Sequence, residues 1–154
     1  MYVSVDGDDS NIGTSPESPF RTIKHALERI YSDGFNINTI HLASGIYNPS
    51  TNGEVFPIHW SNYVNLSGDG EDETILDADS TASVMQFMYV TETLIENITI
   101  KKGSSSGISC YNSSPSLMNV TISNNNSSGI SCNSSNPTLE NTTITNNLAS
   151  AGGG

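Results

Sequence analysis

Residues 107–128 read GISCYNSSPSLMNVTISNNNSS, and residues 129–150 read GISCNSSNPTLENTTITNNLAS. The second block repeats the first without a gap, at a period of 22 residues. Gly107 falls on Gly129, Cys110 on Cys132, Pro115 on Pro137, Leu117 on Leu139, Asn119 on Asn141 and Ile122 on Ile144. The register also runs backward: Ile95, Asn97, Thr99 and Ile100 stand one period before Leu117, Asn119, Thr121 and Ile122. A fixed period of this length marks a stacked, one-dimensional coil in which each unit buries its apolar side chains against the next.

Within each copy the alternation predicts short strands. Ile108 and Cys110 face inward on one strand, Leu117 opens a second, and Val120 and Ile122 form a third with Thr121 outward. Gly107 and Gly129 suit tight corners. Asn97, Asn119 and Asn141 fall at one corner, where stacked amides can hydrogen-bond along the coil axis and where Asn favours turns. Cys110 and Cys132 share the inward face and read as a stack of reduced, small apolar side chains. Rungs about 4.8 Å apart keep a disulfide between them within reach.

Upstream of the repeats the pattern changes. Residues 2–5 read as a strand, and residues 6–13 as a turn-rich loop. A helix is expected over 19–31, with Ser18 as N-cap, Pro19 in the first position, an apolar face of Phe20, Ile23, Leu27 and Ile30, and Gly34 as the stop. Strands follow at Thr39–Leu42, Tyr63–Leu66, Thr74–Asp77, Val84–Met88 and Leu94–Ile100. A coil of strands has an open end that exposes core and unpaired edges, so the helix is read as its cap. One domain over 1–154 results: strand, loop and cap helix in 1–38, irregular early turns in 39–106, and repeats in 107–154. Ala151–Gly154 begins a third copy and stops, which reads as truncation of a longer coil; the open end is expected to favour self-association.

Composition narrows the function classes. Hydrophobic residues make up 34% of the chain, low for a compact globule but sufficient for thin stacked rungs. The formal net charge of −11 opposes nucleic acid and anionic membrane surfaces, and is compatible with Ca²⁺. Acidic residues concentrate before Asn97, and only Glu140 follows it. No apolar run is long enough for a membrane helix, and Tyr2-Val3-Ser4-Val5 directly after Met1 does not read as a signal peptide.

The stretch YVSVDGDDSNIGTSPESPFRTIKHAL (2–27), followed by IHLASGIY (40–47), carries a resemblance. It looks like the N-terminal part of bacterial right-handed parallel β-helix proteins of the pectin-lyase-like superfamily. More narrowly, it resembles a domain of unknown function that opens many such proteins. The order of strand, Asp-Gly-x-Asp loop, Gly-Thr…Pro-Phe-x-Thr-Ile helix and Leu-x-x-Gly-x-Tyr strand is complete in this chain. The resemblance implies an all-β, right-handed parallel β-helix with an N-terminal α-helical cap, at an extracellular or cell-surface location. It is weak for activity, because the fold hosts lyases, hydrolases, adhesins and passive surface proteins.

Lyases of that superfamily use a Lys or Arg base with Ca²⁺. Lys101-Lys102 stands at a strand end with no carboxylate close in sequence, and reads as a solvated corner. Glycosidases need paired carboxylates; Asp77 and Asp79 would share one strand face, and Asp69–Glu73 forms a loop cluster, both read as structural. No catalytic residue is assigned. Asp6, Asp8 and Asp9, with Ser10 and Asn11, could offer oxygens to Ca²⁺; the pattern lacks the sixth-position glycine, and Glu17 stands at the twelfth. Tyr47, Trp60 and Tyr63 could form a sugar-stacking platform, or pack beneath loop 48–62. His25, His41 and His59 are scattered. The expected function is a non-catalytic capping and scaffold part of an extracellular β-helix protein, presenting a polar side to polysaccharide or cell-surface glycan. The alternatives are a fragment of a polysaccharide lyase or glycosidase whose active site lies on further turns, and an adhesin or structural stalk.

Overall fold

The computed structural model describes residues 1–149, so the third copy expected from Ala151 lies outside the described residues. The chain winds as a parallel β-helix of about five turns. The first turn holds β2 (Asn38–Leu42), β3 (Gly45–Tyr47) and β4 (Ile58–His59). The second holds β5 (Val64–Gly68), β6 (Thr74–Asp77) and β7 (Met85–Met88). Then come β8 (Leu94–Lys101) with β9 (Ile108–Tyr111), β10 (Ser116–Ser123) with β11 (Ile130–Asn133), and finally β12 (Thr138–Glu140) with β13 (Thr143–Thr145). One sheet runs β2-β5-β8-β10-β12, joined by β3, β6 and β13; the other runs β4-β7-β9-β11. Every pairing is parallel.

The register places equivalent side chains over one another. Ile40 pairs with Leu66, Leu66 with Ile95, Ile95 with Leu117 and Leu117 with Leu139. The second column is Tyr47, Leu76, Ile100, Ile122 and Ile144. The third is Ile58, Met85, Ile108 and Ile130. These columns form the repeating part of the buried core, to which Val64, Ile98, Val120, Phe87 and Cys110 add further inward side chains. Early turns are longer because loops are inserted between strands; Leu94 N donates to Asn65 Oδ1, 29 residues back, whereas late-turn contacts span 22.

Corners are made by residues other than the expected glycines. Thirteen described non-glycine residues have φ between 46 and 59°, six of them Asn. They recur one repeat apart: Asn97, Asn119 and Asn141; Lys102, Asn124 and Asn146; Asn112 and Ser134. Asn tolerates the left-handed region better than other residues with a Cβ, which accounts for its abundance here. The first column also forms the expected ladder: Asn119 Nδ2 donates to Asn97 Oδ1 at 2.9 Å, and Asn141 Nδ2 to Asn119 Oδ1 at 3.3 Å. The strand hydrogen bonding of β8 and β10 runs through these bends. A second amide column lies within, buried at Asn125 and half-buried at Asn147: Asn125 Oδ1 accepts from Gly103 N at 2.7 Å and Asn125 Nδ2 donates to Asn147 Oδ1 at 2.8 Å. Gly107 and Gly129 are needed for space rather than for φ. A Cβ at Gly107 would lie 2.7 Å from Ile122 Cγ2, and one at Gly129 2.5 Å from Ile144 Cγ2.

The cap differs in detail from expectation. The helix α1 spans Ile23–Arg29, with Thr22 as N-cap, so Ser18 and Pro19 lie outside it. The reason is that Phe20 is extended and bridges Val3 in β1 (Tyr2–Val3), exchanging Phe20 N→Tyr2 O and Ser4 N→Phe20 O bonds of 2.9 Å. The backbone of Pro19 is occupied by the loop, accepting from Asp8 N and Asn11 Nδ2. The helix ends at Ile30, before Gly34. β1 adds a first rung beside β2. α1 contacts both β1 and β4, and so touches the first strand of each sheet and lies across the mouth of the coil. Ile23 and Ala26 are buried, while Leu27 and Ile30 pack at the margin.

Candidate functional site

In loop 6–11, where the sequence offers Ca²⁺ ligands, the carboxylates of Asp8 and Asp9 accept hydrogen bonds from the backbone. Asp8 Oδ1 accepts from Ser10 N at 2.8 Å, which holds its carboxyl below the usual range. Asp9 Oδ1 accepts from Arg21 N and Thr22 N at 2.8 and 3.0 Å, and its Oδ2 from Thr22 Oγ1. Thr22 Oγ1 in turn accepts from His25 N at 3.1 Å. Asp6 stays exposed. Among the described residues no three His, Cys, Asp or Glu side chains are gathered closely enough to hold a metal ion.

Sequence reasoning missed Glu54. It is buried and accepts from Ile23 N at 2.7 Å and Lys24 N at 3.1 Å, so a distant loop supplies acceptors for the first turn of α1. Burial pushes its carboxyl up, against the opposing pull of those N–H donors. No spacing rule links residues 30 apart across a loop.

The Lys101-Lys102 corner has a carboxylate partner after all, brought by stacking. Asp77 pairs in register with Lys101. Lys102 Nζ lies 2.8 Å from the buried Asp77 Oδ2, and Lys101 Nζ lies 3.8 Å from it. The hydrogen bond to Asp77 and its charge raise the Lys102 ammonium above its ordinary value, the opposite of what a proton-abstracting base needs. Asp79 has left the strand, with φ 48°, and donates its N–H to Asp77 Oδ1, so the two carboxylates do not share a strand face.

The three aromatic residues separate. Tyr47 is wholly buried; its hydroxyl lies 2.8 Å from Ala43 O and 3.1 Å from Val3 O, and burial raises it. Trp60 is buried, donating Nε1–H to Val64 O at 2.9 Å. Neither ring offers a face for stacking. Tyr63 is half-buried beside Trp60 in an open hollow that also takes in Asp33, Asn62 and Met88.

That hollow leads to an aromatic corner absent from the sequence reading. Met88, Tyr89 and Tyr111 are 52%, 61% and 41% exposed. Met88 pairs with Tyr111 across adjacent rungs, and the Tyr89 and Tyr111 rings meet edge to face with centroids 5.5 Å apart. A second hollow beyond is lined by Thr91, Glu92, Asn112, Ser114 and Ser134. The 22-residue period did not point to it, because β7 and β9 pair at an offset of 23, which sets Met88 rather than Tyr89 against Tyr111. The corner combines ring faces, a thioether and amide groups, which suits contact with a hydroxylated ligand.

No described helix is long and apolar enough to cross a membrane. No curated protein and no solved structure matches the chain. One family model matches residues 5–152, nearly the whole length, and the chain therefore belongs to the family described as Protein of unknown function (DUF1565).

Proposed function

We propose that this chain is the non-catalytic, N-terminal capping and scaffold part of an extracellular or cell-surface β-helix protein of pectin-lyase-like type, presenting its polar flank to glycan. The observation that carries the reading is the position of α1. By touching the first strand of both sheets it covers the end of the coil, with Ile23 and Ala26 inserted. Asp9, Thr22 and Glu54 hold it there through backbone N–H groups. The raised, Asp77-bound Lys102 supports scaffold over lyase.

The experiment is a pair of substitutions and an assay. Ala26→Asp places an unpaired charge in the covered end, and is expected to abolish cooperative urea unfolding, a cost on the order of 4 kcal/mol or more. Lys24→Ala, on the exposed face of the same helix, is expected to leave the urea midpoint nearly unchanged. Equal, small effects would remove the capping role. Incubation with polygalacturonate and Ca²⁺ is expected to give no unsaturated product by ultraviolet absorbance; product formation would replace the scaffold reading with a lyase.

A further inference from the structure

We propose that the corner carrying Tyr63, Met88, Tyr89 and Tyr111 is a subsite for a glycan bearing free amino groups, a polyglucosamine-type chain lying along the coil axis. The inference rests on the glycan reading above and supplies its location and charge.

Three observations converge. The first is shape: the exposed residues Met88, Tyr89 and Tyr111 lie on two successive rungs, and two open hollows that share Val90, one lined by Tyr63 and Met88 and the other by Asn112 and Ser134, continue the surface from rung to rung along the coil axis. The second is chemistry. Aromatic faces stack on sugar rings and attract ammonium groups, and Asn62, Asn112 and Ser134 supply neutral hydrogen-bonding groups at the edges. The third is charge. Asp33 lines one hollow and Glu92 the other, and no Lys or Arg lines either. The five Lys and Arg residues lie elsewhere: Arg21, Lys24 and Arg29 at the cap, Lys101 and Lys102 beside Asp77. A uronate chain would meet uncompensated carboxylates on a chain of net charge −11; an amino-glycan would meet its complement.

The test uses calorimetric titration of the whole chain with three hexamers: glucosamine, N-acetylglucosamine and galacturonate. Tyr89→Asn and Tyr111→Asn remove the rings with residues that this coil already carries one rung on, at Asn112 and Asn133, so both variants are expected to fold. The amino hexamer is expected to bind about tenfold more tightly than the acetylated one, with no binding of galacturonate. Each tyrosine variant is expected to weaken the amino hexamer by about fivefold to tenfold. Glu92→Gln is expected to flatten its salt dependence. Net charge alone would also attract an amine, but that attraction would leave both tyrosine variants at full affinity, and such a result overturns the proposal. Preference for the acetylated or acidic hexamer overturns it while leaving the glycan reading intact. Failure of all three hexamers to bind ends both.

Discussion

Leu117 and Leu139 are the same residue at the same repeat position, paired in register, yet they are 1% and 46% exposed. Cys110 is buried and Cys132 exposed for the same reason. At the other end of the coil, the first rung is covered by α1 through Ile23 and Ala26. In a stacked coil, burial is conferred by the neighbouring turn rather than by the side chain's own strand. An inner rung and the last described rung therefore differ in energy at positions identical in sequence.

The sharpest way to break this comparison is to delete the same atoms at both places. Leu117→Ala is expected to cost about 3 kcal/mol, within the range for a packed core leucine, and Leu139→Ala less than about 1 kcal/mol. Urea unfolding of the two variants measures the difference. Equal losses would show that the last described rung is packed as well as the one before it.

The cap yields the next effect. Glu54→Ala strands the N–H groups of Ile23 and Lys24 in a buried place, at an expected cost of about 2 kcal/mol. Its pH dependence has a definite sign. Burial raises the folded-state value above the ordinary 4.5, so the contribution of Glu54 is full below that pH and fades as pH climbs through the raised value. Exposed Asp33 runs the other way: hydrogen bonds from Asn36 and Phe35 lower it to about 2, and its contribution is lost as pH falls from 3.8 toward that value. Glu54→Gln imitates the protonated acid. The stability of the parent relative to this variant should shrink as pH rises above 4.5; a gap that widens with pH would reverse the assignment.

A smaller effect separates the two duties of the Asn column. Asn119→Ala removes a ladder bond on each side and puts a Cβ without a polar group at φ 53°, for about 2 kcal/mol together. Asn119→Gly keeps the corner and loses only the ladder, for about 1 kcal/mol. Asn141→Ala, with one ladder bond from this column to lose, should fall below Asn119→Ala. Thermal or urea midpoints of the three rank them, and equal costs for Asn119→Ala and Asn119→Gly would mean that the corner conformation contributes nothing.

What could be read without coordinates follows from these cases. The inward columns, the Asn ladder and the cap were legible because each depends on a period or on a local face. Helix start, corners and site were less so. Thr22, not Ser18, caps α1 because Phe20 is drawn into a bridge with Val3, a pairing invisible in a helical apolar pattern. Gly107 and Gly129 matter through Ile122 and Ile144, which reach them only once the coil closes. Tyr47 and Trp60 have the composition of a binding platform, and only burial assigns them to the core. Asp77 meets Lys102 because β6 stacks on β8.

The last contrast leaves stability aside and reads an inner rung and the last described rung of its sheet through their thiols. Cys110 and Cys132 are register partners, both unpaired in a disulfide. Burial pushes the Cys110 thiol up to about 12, whereas Cys132 is exposed. The thiolate is the reactive form, so at pH 8 an aromatic disulfide reagent should modify Cys132 at least about a hundredfold faster than Cys110. Cys110 should react only as the coil opens, and in urea the two rates should converge. Cys132→Ser tests whether the rung or its thiol protects Cys110: β11 remains, so Cys110 should stay slow. If Cys110 reacts as fast as Cys132 in the folded parent, the rung above it does not seal it, and the distinction between covered and uncovered turns fails where it is drawn most narrowly.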